Sequence, residues 1–135
     1  MKKLILIGVI FCSSISFAQI SVIINKNSTI DKATIHELYS IFSCMKKYWD
    51  DGEKINVLVP KDKPQIRIQF FKKIASNPEV FKKKWVKAKL MGSGKPPRKV
   101  NQSEILKLVA SDLNSIAFIE SKLLTEDVKE LCRFN

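Results

Sequence analysis

The chain has 135 residues and a formal net charge of +11 at pH 7, from 24 Lys and Arg residues against 13 Asp and Glu residues. This length fits one domain with a single core and excludes a second domain. With one histidine and three cysteines, the chain lacks the close ligand pairs of a zinc site and a Ser/His/Asp or Cys/His grouping for catalysis. The positive charge indicates an anionic partner; alternatively, the lysines serve only to keep the protein soluble.

The first eighteen residues have the layout of a cleavable secretory signal. Two lysines precede the apolar run 4–11, and the segment ends in Ser-Phe-Ala, with small residues on both sides of a larger one. The run is about half of the roughly 20 residues that a membrane-spanning helix needs. We therefore expect cleavage after Ala18 and a periplasmic domain of residues 19–135. This domain has 117 residues and a net charge of +9, because the signal carries two lysines and no acid.

The first half of this domain predicts two strands and two helices. Residues 20–24 are Val- and Ile-rich and predict a buried strand. Thr34-Ile35-His36-Glu37 matches a capping box, which predicts a short helix that ends near Ser43. Residues 55–60 predict a second strand closed by a proline, and Pro64 suits the first position of a second helix.

The third helix is predicted from Asn77-Pro78-Glu79 to about Leu90. Its apolar stripe consists of Phe81, Trp85 and Ala88, while five lysines cover the rest of its surface. Because this stripe is narrow, we expect it to pack on the sheet, so membrane contact is at most peripheral. The lysines would then face an acidic partner or anionic headgroups, and a nucleic acid is not expected for an exported protein.

The last third begins with the loop 92–97, which is rich in Gly and Pro. Ser103 is the predicted cap of a fourth helix, residues 116–119 are a third strand, and residues 128–132 are a final edge strand. Strands and helices alternate without repeats. This order predicts an α/β domain with a small mixed or mostly parallel sheet flanked by helices.

The remaining candidates for chemistry have simpler interpretations. His36 lies on the polar side of the first helix, as a solvated residue would. Asp50 and Asp51 precede a glycine and suit a turn better than a calcium site. Trp49 and Trp85 are interpreted as core aromatics. We therefore expect no metal, no cofactor and no enzymatic activity.

Several short motifs together carry a resemblance to a known family. They are Glu37-Leu38, Ile41-Phe42, Trp49 with Asp51-Gly52, Val57-Leu58-Val59-Pro60, Arg67 with Phe70, Trp85, Gly92 through Pro97, and Ile116-Ala117-Phe118-Ile119. In this order and spacing, the sequence resembles the short phosphate ABC transporter substrate-binding-like proteins, a branch of the type 2 periplasmic binding protein superfamily. The resemblance implies one lobe of the usual two and a periplasmic solute-binding role. It also implies a small anion such as phosphate as the ligand and a transporter as the partner.

Receptors of this family hold the anion at a Ser-Gly-Thr-like turn before a helix. Here that turn reads Asp62-Lys63-Pro64-Gln65, which has no hydroxyl and one donor fewer. The candidate anion site therefore combines the start of the second helix with the glycine loop, and both would have to face one cleft. Its residues are Lys63, Gln65, Arg67, Ser93, Lys95 and Arg98. The alternative is a structural role for Arg67 and a connector role for the loop.

Two further alternatives stay open. In an oxidising compartment, Cys44 and Cys132 either form a disulfide or remain two buried free thiols. The protein either binds a small anion or is an envelope interaction module that kept the fold and lost the solute site. The sequence does not determine the oligomeric state.

Overall fold

The computed structural model describes residue 8 and residues 18–135, so the predicted signal lies almost entirely outside the described residues. The described part contains five strands and four helices. The strands are β1 (Ile20–Asn25), β2 (Asn56–Pro60), β3 (Arg98–Val100), β4 (Ser115–Glu120) and β5 (Val128–Phe134). The helices are α1 (Ile35–Phe42), α2 (Pro64–Ile74), α3 (Glu79–Leu90) and α4 (Gln102–Ser111). None of these helices is both long and apolar enough to cross a membrane.

The five strands form one mixed sheet in the order β3-β2-β4-β1-β5. Strand β2 is parallel to β3 and to β4, whereas β1 is antiparallel to β4 and to β5. The predicted α/β class with a mixed sheet is confirmed. The three residues of β3 were not predicted, because so short a strand has no alternating pattern of its own.

The two edges of the sheet are irregular. At one edge β3 is only three residues long, and its Arg98 and Lys99 side chains are exposed. At the other edge Val22 pairs with Cys132 and Ile23 pairs with Glu130, so that Leu131 is an extra residue, which is a β-bulge. The longest uninterrupted pairing is therefore that of β1 with β4, in the middle of the sheet.

Both faces of the sheet are covered, which explains why β1 and β4 are almost continuously apolar and fully buried. On one face α1, α2 and α3 pack through aromatic residues, and the rings of Phe70 and Phe118 stack with centroids 3.9 Å apart. On the other face α4 contributes Ile105 and Val109. Each of these side chains stabilises the fold by about 1.5–3 kcal/mol on burial.

The two tryptophans belong to the first of these layers, as predicted. Trp49 and Trp85 are partly buried against the aromatic cluster. Each indole N–H donates to a backbone carbonyl, at 3.1 Å to Asn114 O and at 2.7 Å to Phe42 O respectively. With their polar atoms satisfied inside the fold, they connect loops to the core.

The helix starts follow the sequence signals except for α4. Thr34 caps α1, because its Oγ1 accepts from the Glu37 N–H at 3.1 Å and donates to the Glu37 carboxylate at 3.2 Å. Pro64 begins α2 as predicted, and α3 begins at Glu79, one residue after the proline predicted to start it. The predicted cap of α4, Ser103, is wrong: it lies within the first turn. The N-cap residue is Asn101, whose side chain makes no capping bond, and the first N–H of the helix is capped instead by the carboxylate of Asp62, which is forty positions earlier and so outside any local motif.

Candidate functional site

The two ends of the sheet differ in chemistry. At one end the parallel strands finish at Pro60, Val100 and Glu120 and the helices α2 and α4 begin; we call this end the carboxyl edge. At the other end the starts of β2 and β4 and the end of α4 border a wide groove. We call it the basic groove.

The six residues of the predicted anion site fall into two groups at these opposite ends. Lys63, Gln65 and Arg67 lie at the start of α2, at the carboxyl edge. The other three residues, Ser93, Lys95 and Arg98, line the basic groove. The two segments therefore do not face one cleft within this chain.

Arg67 forms hydrogen bonds to the backbone of its own chain. Its Nη1 donates to the carbonyl oxygens of Pro60 at 2.6 Å and of Lys61 at 3.2 Å, where β2 ends. These contacts fix the turn between β2 and α2. Arg67 therefore has the structural role that was the alternative to anion binding, although its partners are carbonyls and not a carboxylate.

The start of α4 is the place at the carboxyl edge where free backbone N–H groups and the helix dipole favour an anion. The Asp62 carboxylate already lies there and accepts from the Gln102 N–H at 3.0 Å. Because Asp62 belongs to the turn after β2, the chain itself supplies the negative charge at the start of α4. An external anion would have to displace it.

Beneath this cap lies a buried network around Glu120, whose side chain is 7% exposed. Gln102 donates through Nε2 to Glu120 Oε1 at 3.1 Å and accepts from the Glu120 N–H at 2.8 Å. The ammonium groups of Lys63 and Lys122 lie 3.7 and 3.3 Å from the carboxylate oxygens. Burial raises the pKa of Glu120, but the Gln102 bond and the two lysines together hold the pKa below its usual value. Glu120 is therefore ionised at neutral pH and balances these lysines.

The basic groove has two walls and a volume of about 940 Å³. One wall is the turn between α1 and β2, closed by a β-bridge between Tyr48 and Lys54. The other wall is the loop 92–96, where Gly92 adopts a φ of 64°. The Cys44 thiol donates to Lys95 O at 2.9 Å and ties the two walls together. The groove thus has a defined shape although it is open to solvent.

Positive charge dominates the lining of the basic groove. The cationic residues are Lys46, Lys47, Lys54, Lys89, Lys95 and Arg98. Lys46 forms an exposed pair with Asp50 at 3.3 Å, and the other five have no carboxylate partner among the described residues. The groove therefore has five cations that form no ion pair within this part of the chain.

Asp112 is the single acid in this lining. Its carboxylate accepts from Asn56 Nδ2 at 2.6 Å, from Ser115 Oγ at 2.8 Å and from the Asn114 N–H at 2.9 Å. Burial raises the pKa of Asp112, but these three hydrogen bonds outweigh burial and lower it. The acid therefore holds the end of α4 against β2 and β4, and three of its roughly four acceptor positions are already used.

Cys44 and Cys132, the cysteines of the described residues, are free thiols, so the disulfide alternative is not found. Cys44 contacts the loop before β3 and Cys132 lies on β5, at opposite edges of the sheet. Four strand spacings separate those edges by roughly 19 Å, whereas a disulfide needs Cα atoms within about 7 Å. Burial raises the pKa of both thiols, for Cys132 to about 11. Both are protonated at neutral pH and are poor nucleophiles.

The remaining polar candidates are dispersed. His36 is exposed on α1, and Asp51 accepts from the Glu53 N–H at 3.0 Å within its turn. Among the described residues, no three His, Cys, Asp or Glu side chains form a cluster that could hold a metal ion.

Sequence reasoning missed part of the groove lining, including Lys47, Lys54 and Lys89. One signal was available: between residues 80 and 103 the sequence has eight lysine and arginine residues and no acid. That segment spans most of α3, the glycine loop and β3. Lys47 and Lys54, in the turn between α1 and β2, have no such signal, because only the fold brings them beside the loop.

No protein-family model matches the chain, and a search of curated proteins gives no match. Solved structures do match. They include an ABC-type phosphate transport receptor from Vibrio cholerae, with 19% identity and a TM-score of 0.62. A putative phosphate ABC transporter substrate-binding protein with bound phosphate from Clostridium perfringens has 17% identity and a TM-score of 0.67. A possible phosphate binding protein from Planctomyces limnophilus has 17% identity and a TM-score of 0.60.

These matches show what fold the chain has. Each covers 84% of this chain but only 46%, 45% and 41% of the respective receptor. The chain therefore spans less than half the length of the proteins that it matches. It has the fold of one lobe of a periplasmic binding protein, as the sequence resemblance implied.

Proposed function

We propose that this protein is an exported binding protein without catalytic activity and that it holds an anionic ligand in the basic groove. One observation carries the proposal. Five cations that form no ion pair among the described residues converge on one concave surface, whose single acid, Asp112, is bound by Asn56, Ser115 and Asn114; the cations are Lys47, Lys54, Lys89, Lys95 and Arg98. Uncompensated cations on a surface attract anions, and an arginine adds bidentate recognition of phosphate or carboxylate groups.

The carboxyl edge is less suitable for the same ligand. Its helix start already holds the Asp62 carboxylate, and its lysine Lys63 is engaged by Glu120. An incoming anion would meet two negative charges and one arginine whose Nη1 already donates to two backbone carbonyls. We therefore place the ligand at the opposite end of the sheet from the predicted start-of-helix site.

Two features support binding rather than catalysis. The cysteine thiols are protonated at neutral pH, and the single histidine is solvent-exposed, so neither supplies an activated nucleophile or an oriented base. The structural neighbours are described as transport receptors and binding proteins. A small inorganic anion such as phosphate is the first ligand to test, since the Clostridium perfringens protein is described with bound phosphate.

Calorimetric titration of residues 19–135 with phosphate, sulfate and small carboxylates, at low and at physiological salt, tests this proposal. We expect saturable binding that the double variant Lys95→Gln/Arg98→Gln abolishes. The matched control, Lys61→Gln/Lys63→Gln, removes the same charge at the carboxyl edge and should retain binding. If the control loses binding and the groove variant keeps it, the ligand site is at the carboxyl edge.

The second candidate function is an envelope interaction module that has lost the solute site. The occupation of the α4 start by Asp62 favours it, as does the exposure of the groove to solvent, because a single lobe leaves open the side that a second lobe covers in two-lobed receptors. If no small anion binds saturably at physiological salt, the groove receives an anionic group of a larger partner.

Export itself is tested by N-terminal sequencing of the protein recovered from the periplasm, where we expect the chain to begin at Gln19.

A further inference from the structure

Helix α3 has a second apolar stripe that faces solvent. Its inward stripe behaves as predicted, with Phe81 and Ala88 buried. On the outward side, Val86, Leu90 and Met91 are 58%, 82% and 69% exposed. These three side chains border one shallow depression together with Lys82, Lys83 and Lys87. The helix is thus apolar on two sides, and only one of them contributes to the core.

The charged side chains that border the outward stripe are all positive. Its border has three lysines, and the nearest acid, Glu79, reaches only Lys82, at 3.8 Å between two exposed side chains. From residue 80 to residue 103 no acid occurs in the sequence. A partner for this surface must therefore carry negative charge and also accept apolar side chains.

We propose that the outward face of α3 docks on the surface of an anionic phospholipid bilayer. The lysine ammonium groups would contact headgroup phosphates, while Val86, Leu90 and Met91 enter the boundary between headgroups and acyl chains. Lysine stems are long enough to extend along the apolar stripe and keep their charges at the headgroup level. The docking site is separate from the basic groove and does not depend on the ligand of the groove.

The size of the stripe favours a bilayer over a protein partner. A stable protein interface buries about 800 Å² on each partner around a packed apolar centre. Three side chains at the end of one helix, surrounded by lysines, provide much less. At a bilayer the electrostatic attraction supplies most of the affinity, with roughly a fivefold gain for each lysine near the surface, and a few apolar side chains add to it.

Vesicle flotation of residues 19–135 tests this docking. This form keeps every described strand and helix and lacks the apolar run 4–11, which would itself bind lipid. Vesicles of phosphatidylcholine alone are compared with vesicles containing phosphatidylglycerol, at low and at physiological salt. We expect binding only to the anionic vesicles, weakened by salt.

Matched variants locate the contact. Lys83→Gln/Lys87→Gln should lower the partition coefficient by more than tenfold, whereas Lys72→Gln/Lys73→Gln, which removes equal charge from exposed positions on α2, should change it little. Leu90→Ser should lower it several-fold, and Ile68→Ser, at a side chain 55% exposed on α2, should not. Absence of binding to anionic vesicles at low salt overturns the proposal. An equal loss of vesicle binding in the α2 variants also overturns it. Circular dichroism spectra that match the wild type, for the α2 and the α3 variants alike, exclude misfolding as the cause.

Discussion

The carboxyl edge and the basic groove use charged residues in opposite ways. At the carboxyl edge, Asp62, Glu120 and Lys63 are all engaged by groups of the same chain. In the groove, five cations have no such partner among the described residues. Charges that are paired internally stabilise the fold, whereas unpaired charges at a concave surface are available for a ligand. The two ends should therefore respond differently to substitution.

The largest effect is expected at Gln102. The substitution Gln102→Leu keeps the side-chain volume but removes the amide that joins Glu120 to α4, leaving a buried carboxylate oxygen and a buried N–H without this partner. We expect the free energy of unfolding to fall by about 2 kcal/mol, measured by urea denaturation. Ser103→Ala, on the same helical turn, should change it by less than about 0.5 kcal/mol. An equal loss at Ser103 would restore it as the cap of α4.

Asp62→Ala should have the next largest effect. The loss of the α4 cap is expected to lower the free energy of unfolding by about 1 kcal/mol. It also leaves the Gln102 N–H without its anion, so sulfate should raise the melting temperature of the variant more than that of the wild type. Asp127→Ala, which removes an exposed carboxylate, is the control in the same thermal scans. If sulfate acts equally on all three proteins, the start of α4 is not an anion position.

A smaller effect is expected with pH. The pKa of Glu120 is held below its usual value of 4.5 in the folded protein. The ionised carboxylate therefore contributes its full stability above that value, and the contribution disappears as the pH falls through the lower, folded pKa. Urea unfolding at a series of pH values should show a shallower acid limb for Glu120→Gln than for the wild type. Glu104→Gln carries the same charge change at an exposed position of α4 and serves as the comparison.

The groove should show the smallest effect on stability. Lys95→Gln/Arg98→Gln removes two exposed cations without ion-pair partners, so the free energy of unfolding should change by less than about 0.5 kcal/mol. It should increase slightly at low salt, because repulsion among the groove cations is relieved. A loss of 1 kcal/mol or more would show that these residues support the fold, which would remove the contrast between the two ends.

Local signals predicted most elements of the fold correctly. The capping box of Thr34, the proline at position 64 and the apolar run of β4 specify their structures within a few residues. The cap of α4 was not predictable in this way, since Asp62 reaches Gln102 only after β2 and β3 have paired. The three-residue strand β3 was missed because so short a strand has no alternating pattern of its own.

The candidate site was predicted less completely than the fold. The sequence identified Ser93, Lys95 and Arg98, but it joined them to the start of α2, because both segments carry cations beside turn residues. The strand direction separates the two segments. Because β2 and β3 are parallel, the loop that precedes β3 and the helix that follows β2 leave the two strands at opposite ends. Spacing along the chain carries no information on this point.

The irregular sheet edges have a consequence for the behaviour of the protein at high concentration. An exposed regular edge strand offers backbone donors and acceptors to another copy and promotes aggregation. Here β3 is too short and carries Arg98 and Lys99, while β5 is interrupted by its bulge and carries Lys129 and Arg133. Two copies approaching through β3 would bring like charges together before any hydrogen bond formed, whereas at β5, where Lys129 and Arg133 are paired with Asp31 and Glu130, the bulge is the obstacle. The same excess of cations that attracts anionic ligands thus also protects the protein from polymerising through β3.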